Sequence, residues 1–135
     1  MLFFIILSAW TLTSCEKDTG TETVNVPIGF SNNITTATKA GDINNDNLTS
    51  IGVFASLTHG NFDTTVSTPN FMYNQLVEKK NGTWQYTPLK YWPNNDSDKI
   101  SFFAYAPHNA TGVTPSNAIQ KGYPSFTYTT PTAEA

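Results

Sequence analysis

His59 and His108 are the only imidazoles in the chain, and each lies in a Gly- or Asn-flanked loop with no second ligand or base at metal or triad spacing. No Gly-x-Ser-x-Gly elbow and no phosphate-cradling glycine loop occurs. The scattered carboxylates form no pair that spacing alone would set across a cleft. Asp42-Ile43-Asn44-Asn45-Asp46-Asn47 copies the opening of a calcium loop, which needs oxygen ligands at its first, third and fifth positions, a glycine at the sixth and a bidentate carboxylate at the twelfth. Here the sixth position is Asn47 and the twelfth is Val53, so the anchoring ligand is missing and a polar loop is the better reading. Asn94-Asn95-Asp96-Ser97-Asp98 reads in the same way, as a turn. A single cysteine, Cys15, excludes an internal disulfide and a cysteine-based zinc site. The expectation is a protein with no catalytic role, no metal and no cofactor.

Trp84, Tyr86, Tyr91 and Trp92 are the remaining residues able to recognise something. They could form an aromatic platform for a sugar ring, or pack between sheets. Packing is the favoured reading, because aromatics supply much of the buried area of a sandwich. A formal charge of -3, with seven Lys and no Arg, denies the chain the basic face that a nucleic-acid backbone requires.

Cys15 matters for its position. Residues 2–10 form an apolar run too short to span a bilayer and suited to the hydrophobic region of a secretory signal. The run leads into Leu12-Thr13-Ser14-Cys15, which resembles the lipobox of bacterial lipoproteins, in which the cysteine is acylated and becomes the new N-terminus. The implied product is anchored to the outer membrane through lipid on Cys15, with residues 1–14 removed as a signal peptide. Two acyl chains hold stably where one is marginal. Residues 15–22 are short and polar, as a tether would be.

The elements that must position these residues are strands. The 135 residues are 39% apolar and 13% charged, which argues against intrinsic disorder and suits one domain, and the abundance of Thr and Asn favours strands and turns over helices. Val24, Val26, Ile28 and Phe30 alternate with Asn25, Pro27 and Gly29, predicting a first strand with four apolar side chains on one face. Pro27 cannot donate to a ladder, so this strand belongs at an edge or with that N–H side unpaired. Residues 31–50 read as a long polar connection. Strands are predicted over residues 51–57, 71–79 and 83–89, the last two joined by an Asn81-Gly82 hairpin turn. Residues 99–105, apolar on both faces, read as a central strand, and residues 125–130 as the last one. A helical turn is expected after Thr114-Pro115-Ser116. The sum is an all-β, antiparallel β-sandwich.

Leu48-Thr49-Ser50-Ile51-Gly52-Val53-Phe54-Ala55, then Trp84-Gln85-Tyr86-Thr87-Pro88-Leu89-Lys90-Tyr91-Trp92-Pro93, then Ile100-Ser101-Phe102-Phe103-Ala104-Tyr105-Ala106-Pro107 resemble, in order and spacing, the N-terminal domain of fimbrillin-family proteins. Those are lipoprotein-derived subunits of type V pili on the outer membrane. The resemblance implies a transthyretin-like sandwich over residues 23–135, with a second sandwich domain absent from this chain. It implies a structural or adhesive subunit of cell-surface fimbriae, whose partners are sister subunits engaged by strand exchange. A host protein or a glycan is a further candidate partner. It also implies removal of the first strand by a trypsin-like protease, which here falls after Lys39, the one basic residue between Lys17 and Lys79.

Overall fold

A computed structural model describes residues 24–32, 44–130 and 132. Among these the fold is all-β and antiparallel, with no helix. Its strands are β1 (Ser50–His59), β2 (Met72–Lys80), β3 (Thr83–Gln85), β4 (Asp98–Tyr105), β5 (Val113–Pro115) and β6 (Phe126–Tyr128). The first four form one sheet in the order β3-β2-β1-β4, and β5 pairs with β6 in a second.

β1 is the axis of the molecule. Val53 and Ala55 are sealed on one face and Phe54 on the other, so the strand reads as a continuous apolar run because both its faces are covered. One face carries a core of Val53, Ala55, Met72 and Val77, flanked by Phe30, Ile51, Phe71, Trp84, Tyr86, Ile100 and Phe102. The opposite face carries Phe54, whose ring lies 5.5 Å from Tyr73 and 6.0 Å from Phe126 of the second sheet. A satellite of Phe62, Phe103 and Tyr123, with centroids 5.4 to 5.5 Å apart, extends that layer. Edge-on and tilted pairs of this kind add to what their buried area contributes.

Met72 and Val77 share the first core although they are five positions apart, a spacing that places two residues on opposite faces of a regular strand. A bulge resolves this. Opposite β1, Val53 faces Gln75 whereas Ala55 faces Met72, so β2 has one residue more than β1 across this stretch. Asn74 takes the left-handed conformation there (φ 43°), which asparagine tolerates better than most side chains. Its amide oxygen accepts a hydrogen bond from Tyr105 Oη at 2.7 Å, tying the bulge to β4.

The Asn81-Gly82 hairpin forms with both residues at positive φ (52° and 79°), as a two-residue turn between twisted strands demands. Three other expectations are corrected. The strand read over residues 83–89 ends at Gln85, because the chain then turns so that Lys90 N–H donates to Tyr86 Oη. β4 is the edge of its sheet, and β1 and β2 are its inner strands. The apolar residues on both faces of β4 arise because Ile100 and Phe102 meet the core while Phe103 and Tyr105 meet the aromatic layer behind it. The turn expected after Thr114-Pro115-Ser116 does not grow into a helix: Gln120 N–H donates to Asn117 O at 3.1 Å, and the winding goes no further. Ser116 N–H instead donates to Ser125 O at 2.7 Å, continuing the β5–β6 pairing.

Candidate functional site

Residues 24–32 do not form a full strand. They run antiparallel to the stretch around Tyr91, joined by a single bridge between Pro27 and Tyr91. Two backbone bonds flank it: Ile28 N–H donates to Lys90 O at 2.8 Å, and Trp92 N–H donates to Val26 O at 2.9 Å. Pro27 therefore occupies the pair whose own N–H and C=O do not face the partner, so its missing donor costs the ladder nothing.

The inward face of this segment is shifted from the one alternation suggests. Ile28 is 2% exposed and Phe30 packs on the core, but Val26 is 50% and Val24 70% exposed. Backbone pairing stops at Val26 and Trp92, and the two valines lie at and beyond that limit. In the other direction the buried register extends to Asn32, whose Oδ1 accepts from Trp84 Nε1 at 2.8 Å. Ile28, Phe30 and Asn32 are thus successive inward positions.

Three aromatic side chains grip them. Tyr86 Oη donates to Ile28 O at 2.8 Å. The Phe30 ring stands edge-on to Tyr86 at 5.4 Å and to Phe102 at 6.0 Å. The indole of Trp84 closes the far end. Beside this clasp lies a cavity of about 410 Å³, lined by Pro27, Ile28, Gly29, Trp84, Gln85, Tyr86 and Leu89.

The two groups of residues singled out in the sequence therefore meet in one place. Trp84 and Tyr86 commit their polar atoms to the edge segment. Tyr91 and Trp92 supply the backbone beside it and remain 45% exposed, with Trp92 standing edge-on to Phe102 at 5.9 Å. Asn32 escaped sequence reasoning because it is polar, although its place two residues beyond Phe30 continues the alternation. Cys15 and Lys39 lie outside the described residues.

The other polar clusters are structural. His59 Nδ1 pairs with Asp98 Oδ1, its register partner across β1 and β4. At the opposite end of β1, His108 N–H donates to Ser50 Oγ. The histidines are thus kept apart. Asn44 Oδ1 accepts from the backbone N–H of Asp46 and of Asn47, and Asn95 Oδ1 accepts from both Ser97 N–H and Ser97 Oγ. Both are side chains closing their own turns. The exposed Asp63 carboxyl is held below its ordinary range by the Thr65 hydroxyl, then by the Thr65 backbone N–H. Among the described residues, no three His, Cys, Asp or Glu side chains converge as a metal site would need.

A family model described as fimbrillin-like matches residues 35–130. The fimbrium subunit Fim1C of Phocaeicola vulgatus is 38% identical over 87 residues, covering 57% of this chain and 23% of that protein. The crystal structure of a fimbrial protein from Bacteroides vulgatus superposes with a TM-score of 0.57 at 35% identity, covering 62% of this chain and 28% of that one. The chain spans about a quarter of the length of these relatives.

Proposed function

Because this chain belongs to the fimbrillin-like family, we propose that it serves as a subunit of cell-surface fimbriae, exported as an outer-membrane lipoprotein on Cys15 and assembled by strand exchange once its first segment is released by cleavage after Lys39. The observation that carries this reading is the clasp itself. A short edge segment supplies one fully buried side chain and one core aromatic, yet a single bridge joins its backbone to the fold.

The magnitudes suit a removable element. Burying Ile28 contributes about 1.5–3 kcal/mol, and each hydrogen bond about 0.5–1.5 kcal/mol net. Held in the same chain, that is enough to seat the segment. Once the connection through Lys39 is cut, the segment must hold at its free concentration, and it departs. Departure strips Lys90 C=O and Trp92 N–H of their backbone partners and uncovers Tyr86 and Phe102, leaving a template for an incoming strand.

Fimbriae sheared from cells making the protein should contain it with Ala40 as its N-terminus, read by N-terminal sequencing. Lys39→Gln should leave it full-length and unpolymerised. Polymerised subunits that still begin at Cys15 would refute release of the segment. Cys15→Ala should move the protein from the membrane fraction to the soluble one, or leave it unprocessed with its signal attached. Undiminished membrane fractionation of that variant after its signal has been removed would take the lipid anchor out of the scheme.

A further inference from the structure

The vacated site does not present a uniform apolar trough. We infer that it reads a three-position code in the strand of the partner subunit that fills it: a branched aliphatic residue, an aromatic residue and a side-chain carbonyl at alternate positions, those that Ile28, Phe30 and Asn32 hold here. This rests on the strand-exchange reading above and specifies which partner strand that site accepts.

Each position is defined by a different group. The aliphatic position is the most enclosed of the segment, with Ile28 2% exposed, and its backbone is fixed on both sides. Its N–H donates to Lys90 O and its C=O accepts from Tyr86 Oη. A proline is therefore excluded here but accepted one residue earlier, where Pro27 sits in the pair that makes no ladder bond. The aromatic position is set by two ring edges, Tyr86 at 75° and Phe102 at 87° to the Phe30 plane. The third position is set by Trp84 Nε1, a donor with no acceptor capacity, which bonds Asn32 Oδ1. An apolar residue there would cover the indole N–H without satisfying it, which is costlier than leaving it in water. The Asn32 amide spends its own donor on Asn45 Oδ1 at 2.8 Å.

The positions of Val24 and Val26 carry no selection, since those side chains are 70% and 50% exposed even when the segment is seated. The alternating apolar stripe is thus longer than the part that is read. Register follows from this. A strand offset by two residues would place the aromatic side chain against Trp84 Nε1, or the side-chain amide between the Tyr86 and Phe102 rings, and both mismatches bury an unpaired polar group.

The test uses the full chain with a specific protease site inserted between residues 33 and 43, cut while folded, and a fluorescent peptide of residues 24–32 added in trans. The parent peptide should bind the cut chain and not the uncut one. Ile28→Asp or Ile28→Pro in the peptide should weaken binding about 100-fold or more, and Phe30→Ala and Asn32→Leu about tenfold each. A Val24→Asp, Val26→Asp peptide should bind within about threefold of the parent, since exposed positions contribute little. Because only the peptide varies, folding of the receptor is constant throughout. If Asn32→Leu binds as well as the parent, or the valine changes cost as much as Ile28→Asp, the code is wrong while strand exchange survives. If the cut chain retains its own segment and takes no peptide, both the code and the strand-exchange reading fall.

Discussion

Replacing Gly52 by alanine should destabilise the protein by about 2–4 kcal/mol, read as a lowered midpoint of denaturant unfolding with an unchanged slope. Gly52 lies on β1 beneath the Tyr105 ring, with which it is paired across the sheet. A Cβ built on it would stand 2.7 Å from Tyr105 Cζ, closer still to Cε1, and 2.8 Å from Asn74 Oδ1. No real Cβ tolerates such approaches, so something must move. The ring cannot retreat cheaply, because it packs at 4.9 Å against Phe126 and its hydroxyl is bonded to Asn74. Overpacking of this kind costs about 1–3 kcal/mol, and disturbing the Tyr105–Asn74 bond adds about 1 kcal/mol. The combination with Tyr105→Val, which removes the obstructing ring, should cost less than the two single changes added together, by about 0.5–3 kcal/mol. Strict additivity in that cycle would show that the close approach does not exist in solution.

Phe54→Ala should cost about 3–5 kcal/mol, the range for emptying a sealed aromatic site. That is a large part of the roughly 5–15 kcal/mol by which domains are stable. The loss should also be uneven. Phe54 is one of two rings of the four-stranded sheet, with Tyr105, that meet Phe126 of β6, and it also meets Tyr73 of β2, while β5 and β6 pair only with each other, over three residues each. Amide hydrogens of β5 and β6 should therefore lose protection in exchange experiments before those of β1 and β2 do, because short elements with few buried contacts open first. Uniform loss of protection across both sheets would show that the small sheet is held by something other than this aromatic layer. Neither substitution touches the segment 24–32 or its clasp, so each reports on the scaffold and leaves strand release to its own tests.

The scaffold also explains why the clasp is where it is. Trp84 and Tyr86 reach the edge segment because the Asn81-Gly82 turn folds β3 back beside β2 in a fixed register, Lys79 opposite Trp84. Shifting that register by one residue would turn both aromatics to the other face. A two-residue turn thus sets a recognition site against residues more than fifty positions earlier in the chain.

Local chemistry was readable without coordinates. Asn81-Gly82 dictates a hairpin because both residues accept positive φ, and Pro27 marks an edge because it has no N–H to give. The apolar pattern around Val53 must be a strand, and the run around Phe102 a strand apolar on both faces, whatever they pair with. Leu12-Thr13-Ser14-Cys15 and the aromatic blocks carry the family resemblance on residue order alone. Each of these depends on a residue's own backbone freedom or on neighbours a few positions away.

What the sequence left open is decided by pairing across long separations. Only the bulge at Asn74 lets Met72 and Val77 point into the same core, and nothing in their spacing announces it. β4 lies at the edge, not the centre, because its two apolar faces are covered by different layers and not by flanking strands. The inward stripe of the first segment is Ile28, Phe30 and Asn32, and the valines before it are left in water, because the extent of the partner surface determines which part of an alternating pattern is used. Alternation specifies that a strand has two faces; which face is buried, and over what length, is a property of the surface it lies against.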